Sequence, residues 1–133
     1  MLSDHAIAHI GQYALIKNGK NQVLVLENTE LNACGLPGGR LEEGEHWMDS
    51  LMREVKEECN LDCTNPKPFG VHLVEEGEFI KYCVYFTVQP TFPLAVRVDN
   101  AKYRPRWISK KTVGTTRFYN DDTKKVVHDF LHA

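Results

Sequence analysis

Residues 7–16, IAHIGQYALI, and 22–27, QVLVLE, are dense in aliphatic side chains and predict two strands. Between them Lys17-Asn18-Gly19-Lys20-Asn21 reads as a turn, because Asn and Gly both tolerate positive φ, and the two strands are expected to pair as a hairpin. The period then changes. Met48, Leu51, Met52, Val55 and Cys59 fall at i, i+3, i+4, i+7 and i+11, one stripe of a helix spanning about residues 46–59. Beyond Leu61 the strand pattern returns: 69–74, FGVHLV, and 79–88, FIKYCVYFTV, flank Glu75-Glu76-Gly77-Glu78 as a second hairpin with a charged tip. Residues 92–98, FPLAVRV, and 104–108, RPRWI, predict further strands. A last helix starts after Asn120, a good N-cap, with Asp121 and Asp122 in its first turn and Val126, Val127, Phe130 and Leu131 on its buried face. This order of strands, helix, strands, helix predicts an α/β fold, a mixed β-sheet flanked by helices, formed as one domain over residues 1–133.

Composition narrows the setting. At 133 residues, 42% hydrophobic and 26% charged, the chain has the makeup of an ordinary globular domain. A net charge of −2 argues against a general nucleic-acid or membrane-surface binder. No apolar run approaches a membrane span, and MLSDHAIAHIGQY lacks the basic-then-apolar pattern of a signal peptide. Cys34, Cys59, Cys63 and Cys83 form no C-x-x-C pair, so reduced thiols in a cytoplasmic protein are expected.

The chemistry is concentrated in Arg53-Glu54-Val55-Lys56-Glu57-Glu58, which follows the glycine-rich Leu36-Pro37-Gly38-Gly39. Three carboxylates so close repel one another and weaken the helix that carries them, unless a cation offsets the charge. At about 100° per residue from Met48, Glu54, Glu57 and Glu58 lie near 240°, 180° and 280°, on one flank beside the buried stripe. Oxygens so placed suit a hard cation such as Mg²⁺, which also bridges to substrate phosphates. Arg53 is expected to brace the glycine-rich loop or a carboxylate, and Glu45, at the helix start, to reach back to Arg53.

The wider spacing carries a resemblance. Gly39, Glu45, Arg53, Glu54, Val55, Glu57, Glu58 and Leu61 match the Nudix box, and the chain resembles a Nudix hydrolase. Asn60 stands where the box has glycine; Asn is the next best residue in a left-handed helix stop, so the departure is conservative. The resemblance implies an α/β/α sandwich and cleavage of a nucleoside diphosphate linked to a further group, with Mg²⁺ or Mn²⁺ as cofactor. It implies Glu54, Glu57 and Glu58 as metal ligands, with a carbonyl of Gly38 or Gly39 joining them, and Arg53 and Glu45 as organising residues. The general base differs among Nudix enzymes. Glu54 or Glu57 comes first here, with Glu75, Glu76, Glu78 and Asp99 as candidates from later loops.

The expected substrate is a nucleoside triphosphate or related nucleotide. Two alternatives stay open: a non-catalytic nucleotide-binding sensor domain, and an RNA 5′-end pyrophosphohydrolase. The latter rests on the basic stretch Arg97, Lys102, Arg104, Arg106, Lys110, Lys111 and Arg117. His128 and His132, four apart, form a candidate metal pair, and Tyr82, Tyr85, Phe86 and Trp107 are candidates for stacking on a base. No membrane partner is expected, and the oligomeric state is open, a homodimer included.

Overall fold

The computed structural model describes residues 6–133; the first five residues of the N-terminal signal-peptide reading lie outside the described residues. Strands β1 (Ala8–Ile16), β2 (Val23–Asn28), β3 (Ala33–Gly35) and β4 (Gly38–Arg40) precede helix α1 (Trp47–Cys59). Strands β5 (Cys63–Glu76), β6 (Phe79–Pro90) and β7 (Tyr103–Ile108) follow, and helix α2 (Asp121–Leu131) closes the chain. The strands divide into a four-stranded sheet, β4-β1-β6-β5, and a three-stranded sheet, β3-β2-β7.

The expected β1–β2 hairpin does not form. A strand has two hydrogen-bonding edges, and those of β1 go to β4, antiparallel, and to β6, parallel over Ala8↔Ile80 through Ile16↔Val88. Strand β2 instead pairs with β3 and β7, and a single bridge, Lys17↔Val23, is what remains between the two. The turn is real but is built differently from the expectation. Asn18 Oδ1 accepts from the backbone N–H of Lys20 and Gln22, and Asn21, at φ 55°, takes the left-handed position.

Alternation along β1 separates two cores. Leu15 packs with Val25, Tyr85, Val127 and Leu131 under α2, whereas Ala14 and Ile16 pack with Leu24, Leu51, Val55 and Phe86 under α1. Every residue of β2 is buried, which explains its unbroken aliphatic run. The β5–β6 hairpin is as expected, though longer, with Gly77 at φ 62° in its tip.

The predicted strand over 92–98 is overturned. Pro93 has no N–H for a ladder, and Pro93–Ala95 is a turn of 3₁₀ helix; the Arg97 N–H is spent on the Cys59 carbonyl, 2.9 Å away. Both helix ends follow their local chemistry. Asn120 accepts from the Thr123 N–H at 2.8 Å, and Asn60 sits at φ 59° with its N–H on Lys56 O. At the start of α1, His46 Nδ1 accepts from Met48 N at 3.2 Å.

Candidate active site

Helix α1 lies against the short strand β4, so the glycine-rich loop and the carboxylates of the helix meet. Leu51, Val55 and Cys59 are buried and fix the face that α1 turns to the sheet. Glu54 and Glu58 are thereby aimed at Gly38 and Gly39. The Gly38 N–H donates to Glu58 Oε2 at 2.8 Å. A Cβ on Gly39 would fall 2.9 Å from Glu54 Cδ and closer still to Oε2, so that strand approaches the carboxylate without a side chain between them. Gly38 adopts φ 145°, and a Cβ there would run into the Gln12 backbone of β1.

Arg53 braces carboxylates rather than the loop. It donates to Glu45 Oε2 at 2.9 Å and to Glu57 Oε2 at 3.1 Å, and lies 3.8 Å from Glu54 Oε1. Glu45 also accepts from the Glu42 N–H and the Ser50 hydroxyl. The Arg53 hydrogen bond holds the Glu45 carboxyl below its ordinary range. Burial, reinforced by neighbouring carboxylates, pushes Glu54 upward and carries Glu58 up to about 7.

This donor set consists of oxygens whose ionised forms are disfavoured by burial and by one another, which is what a hard divalent cation would reverse. Among the described residues no three His, Cys, Asp or Glu side chains already converge as a metal cage, because Glu57 turns outward to Arg53. The oxygens fit a hard divalent cation by their chemistry, and Glu57 is engaged with Arg53 rather than turned to the other two.

A cavity of about 670 Å³ opens beside these carboxylates. Glu57, Glu58 and Asp99 line it together with Leu26, Leu36, Val98, Tyr103 and Tyr119. Asp99, held by Arg97 at 3.2 Å, thus joins the box carboxylates, although it is forty-odd residues away in sequence. The hairpin acids do not line this cavity: Glu75 and Glu78 are exposed, and Glu76 pairs with Arg40. A second cavity of about 300 Å³, with Tyr13, Lys81 and Tyr85 in its wall, adjoins the first through Gly35, Leu36 and Tyr119.

Other candidates resolve into packing. Tyr85 is buried with its hydroxyl on Thr123, Phe86 stacks on Trp47, and Trp107 packs against the α1 core. Tyr82 is partly exposed on β6. His132 Nδ1 lies 2.8 Å from the His128 carbonyl and the two rings stack, so the pair is accounted for without a metal. The basic stretch is neutralised in part: Arg104 and Arg106 clamp the buried Glu27, and Lys102 reaches Glu30. Tyr103, Tyr119 and Glu27 were not legible as site or support residues, since each reads in sequence as an ordinary strand or loop position.

The model of the NUDIX domain matches residues 8–130. The chain belongs to the Nudix hydrolase family. Over 127 residues this Nudix chain is 28% identical to the 8-oxo-dGDP phosphatase NUDT18 of Mus musculus, which covers 90% of the chain and 35% of that protein. The NUDT18 of Danio rerio is 39% identical over 66 residues, 47% of the chain and 19% of that protein. The Nudix chain therefore spans about a third or less of these relatives. The MutT protein of Methanosarcina mazei Go1 superposes with a TM-score of 0.76 at 22% identity, covering 96% of both chains, and shows the shared fold.

Proposed function

We propose that this Nudix domain is a Mg²⁺- or Mn²⁺-dependent hydrolase that cleaves a pyrophosphate bond in a nucleotide, a nucleoside di- or triphosphate. The observation that carries this reading is the convergence of Glu54 and Glu58 on Gly38–Gly39 beside a cavity that Glu57 and Asp99 also line. Glu54, Glu57 and Glu58, with the Gly38 carbonyl, would hold the cation. Bound there, it would neutralise the anhydride oxygens and acidify a water.

The chain's own residues supply the rest. Arg53, fixed by Glu45, holds Glu57 and faces Glu54, so it sets where those carboxylates stand. Glu54 or Glu57 takes the proton of the attacking water, Glu54 standing directly against Gly39 at the wall of the site. Tyr103 and Tyr119 offer faces on which a base stacks, while Leu26, Leu36 and Val98 keep that end of the cavity apolar. The likeness to the mouse 8-oxo-dGDP phosphatase supports placing oxidised purine nucleotides among the candidate substrates. Four free thiols, with Cys59 and Cys63 pushed up to about 12 and 11 by burial, support a reducing, cytoplasmic setting.

The test is a panel of nucleoside di- and triphosphates, 8-oxo-dGDP among them, incubated with Mg²⁺ or Mn²⁺, with products identified by mass. Release of phosphate or pyrophosphate is expected, and Glu57→Gln with Glu58→Gln should abolish it while leaving the circular dichroism spectrum unchanged. Nucleotide-induced thermal stabilisation without any turnover across the panel would replace this reading with that of a binding-only sensor domain.

A further inference from the structure

Just past the C-terminal end of β1 lies a cavity of about 570 Å³ that shares no lining residue with the one beside the box carboxylates. None of the residues that line it carries a carboxylate. Lys17 and Lys67 supply two ammonium groups, Asn65, Gln89 and Thr87 supply uncommitted polar side chains, and Phe130 supplies an aromatic wall. The cavity has a structural origin. Between Thr64 and Lys67 the β5–β6 register slips, and Asn65 takes φ 55°, a bulge that re-aims its side chain and notches the sheet edge. Lys17 Nζ is held 4.2 Å above the Phe130 ring, so its position is fixed rather than waving in solvent.

On the smaller sheet the strand cations are matched by an acid, as Arg104 and Arg106 are by Glu27. Here they are not: among the described residues Lys17, Lys67 and Lys110 have no carboxylate partner. Burial, reinforced by the neighbouring charge of Lys110, holds the Lys17 ammonium below its ordinary value. In a chain of net charge −2, a pocket of unopposed lysines calls for an anion from outside. Carboxamides beside the lysines match two demands of a nucleotide, its phosphate and its base edge.

We infer that the β5 notch between Lys17 and Lys67 is a second site, remote from the box, for the phosphate of a nucleotide, free or within a single-stranded RNA. The site is independent of the hydrolysis proposed at Glu54–Glu58, and its test runs with the divalent metal chelated, so failure of one reading leaves the other standing.

The experiment titrates full-length protein in EDTA with a fluorescein-labelled oligouridylate, with uridine monophosphate and with inorganic phosphate. Amide shifts in NMR spectra and fluorescence anisotropy are followed from about 20 to 300 mM NaCl. Uridine monophosphate or the oligonucleotide should shift the amides of Asn65, Lys67 and Gln89. Lys17→Glu with Lys67→Glu should weaken oligonucleotide binding at least tenfold at low salt. The double change should also flatten the log–log salt slope by about 1.4, at ~0.7 per phosphate contact. Shifts with the mononucleotide assign a single-nucleotide pocket; shifts with the oligonucleotide alone assign a strand-binding groove. Hydrolysis of small nucleotides by the double variant should match the wild type. If no phosphate compound moves these amides, or if the double variant keeps the wild-type affinity and slope, the inference is overturned.

Discussion

Gly38 and Gly39 are neighbours, yet alanine at the two positions should fail in different ways. At Gly38 the new Cβ meets backbone: it falls 2.8 Å from Tyr13 Cα and nearer still to the Gln12 carbonyl, in a strand pair that cannot part without losing its ladder. The residue also sits at φ 145°, where a side chain is strained in any surroundings. Strain of roughly 1–3 kcal/mol and overpacking of a similar size give about 2–6 kcal/mol for Gly38→Ala, a large share of a domain's stability. At Gly39 the atoms in the way are the far end of Glu54, which can rotate aside for about 1 kcal/mol. Glu54 then no longer stands where the box needs it, and a displacement of about 1 Å at such a group is worth roughly 10²-fold in rate. Urea unfolding in EDTA, Mn²⁺ binding by electron paramagnetic resonance and nucleotide hydrolysis separate the two outcomes. Gly38→Ala should lose the fold; Gly39→Ala should keep it, bind Mn²⁺ weakly and turn over at least a hundredfold more slowly. Full activity in Gly39→Ala, or equal loss of stability in both variants, would refute the reasoning.

Three further outcomes are expected. Glu27 is held below the ordinary carboxylate range by hydrogen bonds from Arg104 and Arg106, so its contribution is complete above about pH 4.5 and is lost as acid protonates it in the fold; Glu27→Gln should lower stability at pH 7 and flatten the acid limb of a stability–pH curve. Asn60→Ala should cost about 1 kcal/mol in urea unfolding through its left-handed φ, while Asn60→Gly should be neutral or slightly stabilising. Asp99→Asn should slow hydrolysis far more than Glu75→Gln or Glu78→Gln, since Asp99 alone of the three lines the cavity with Glu57; equal effects in steady-state kinetics would return the hairpin tip to contention.

The helices were legible because their signals are local. The stripe of α1, the Asn120 cap and the Asn60 stop each depend on residues within a few positions of one another. The box carboxylates were legible for the same reason, being set out along one helix. What the sequence concealed is long-range. Nothing within 7–27 says that both edges of β1 will be claimed by β4 and β6, so the hairpin reading was locally sound and globally excluded. Pro93 did argue against a strand at 92–98, and its missing donor outweighed the β-branched residues around it. Tyr103 and Tyr119 reach the cavity only because β7 joins β2 and because Tyr119 N–H bonds back to Cys34 O, contacts that no spacing rule encodes.

The parallel pairing of β1 with β6 also imposes a schedule. Ile10 is aligned with Tyr82, seventy-two positions later, so the central strand of the larger sheet cannot complete its ladder until most of the chain exists. At translation speeds of about 5–20 residues per second, β1 waits roughly 4–14 s on the ribosome with its aliphatic edge unpaired. The candidate site does not wait for it, because Gly38 and Gly39 pair with Tyr13 and Gln12 on the other edge of that strand. The box helix and its glycine-lined wall can thus take shape early, while the central pairing of the larger sheet is still to come.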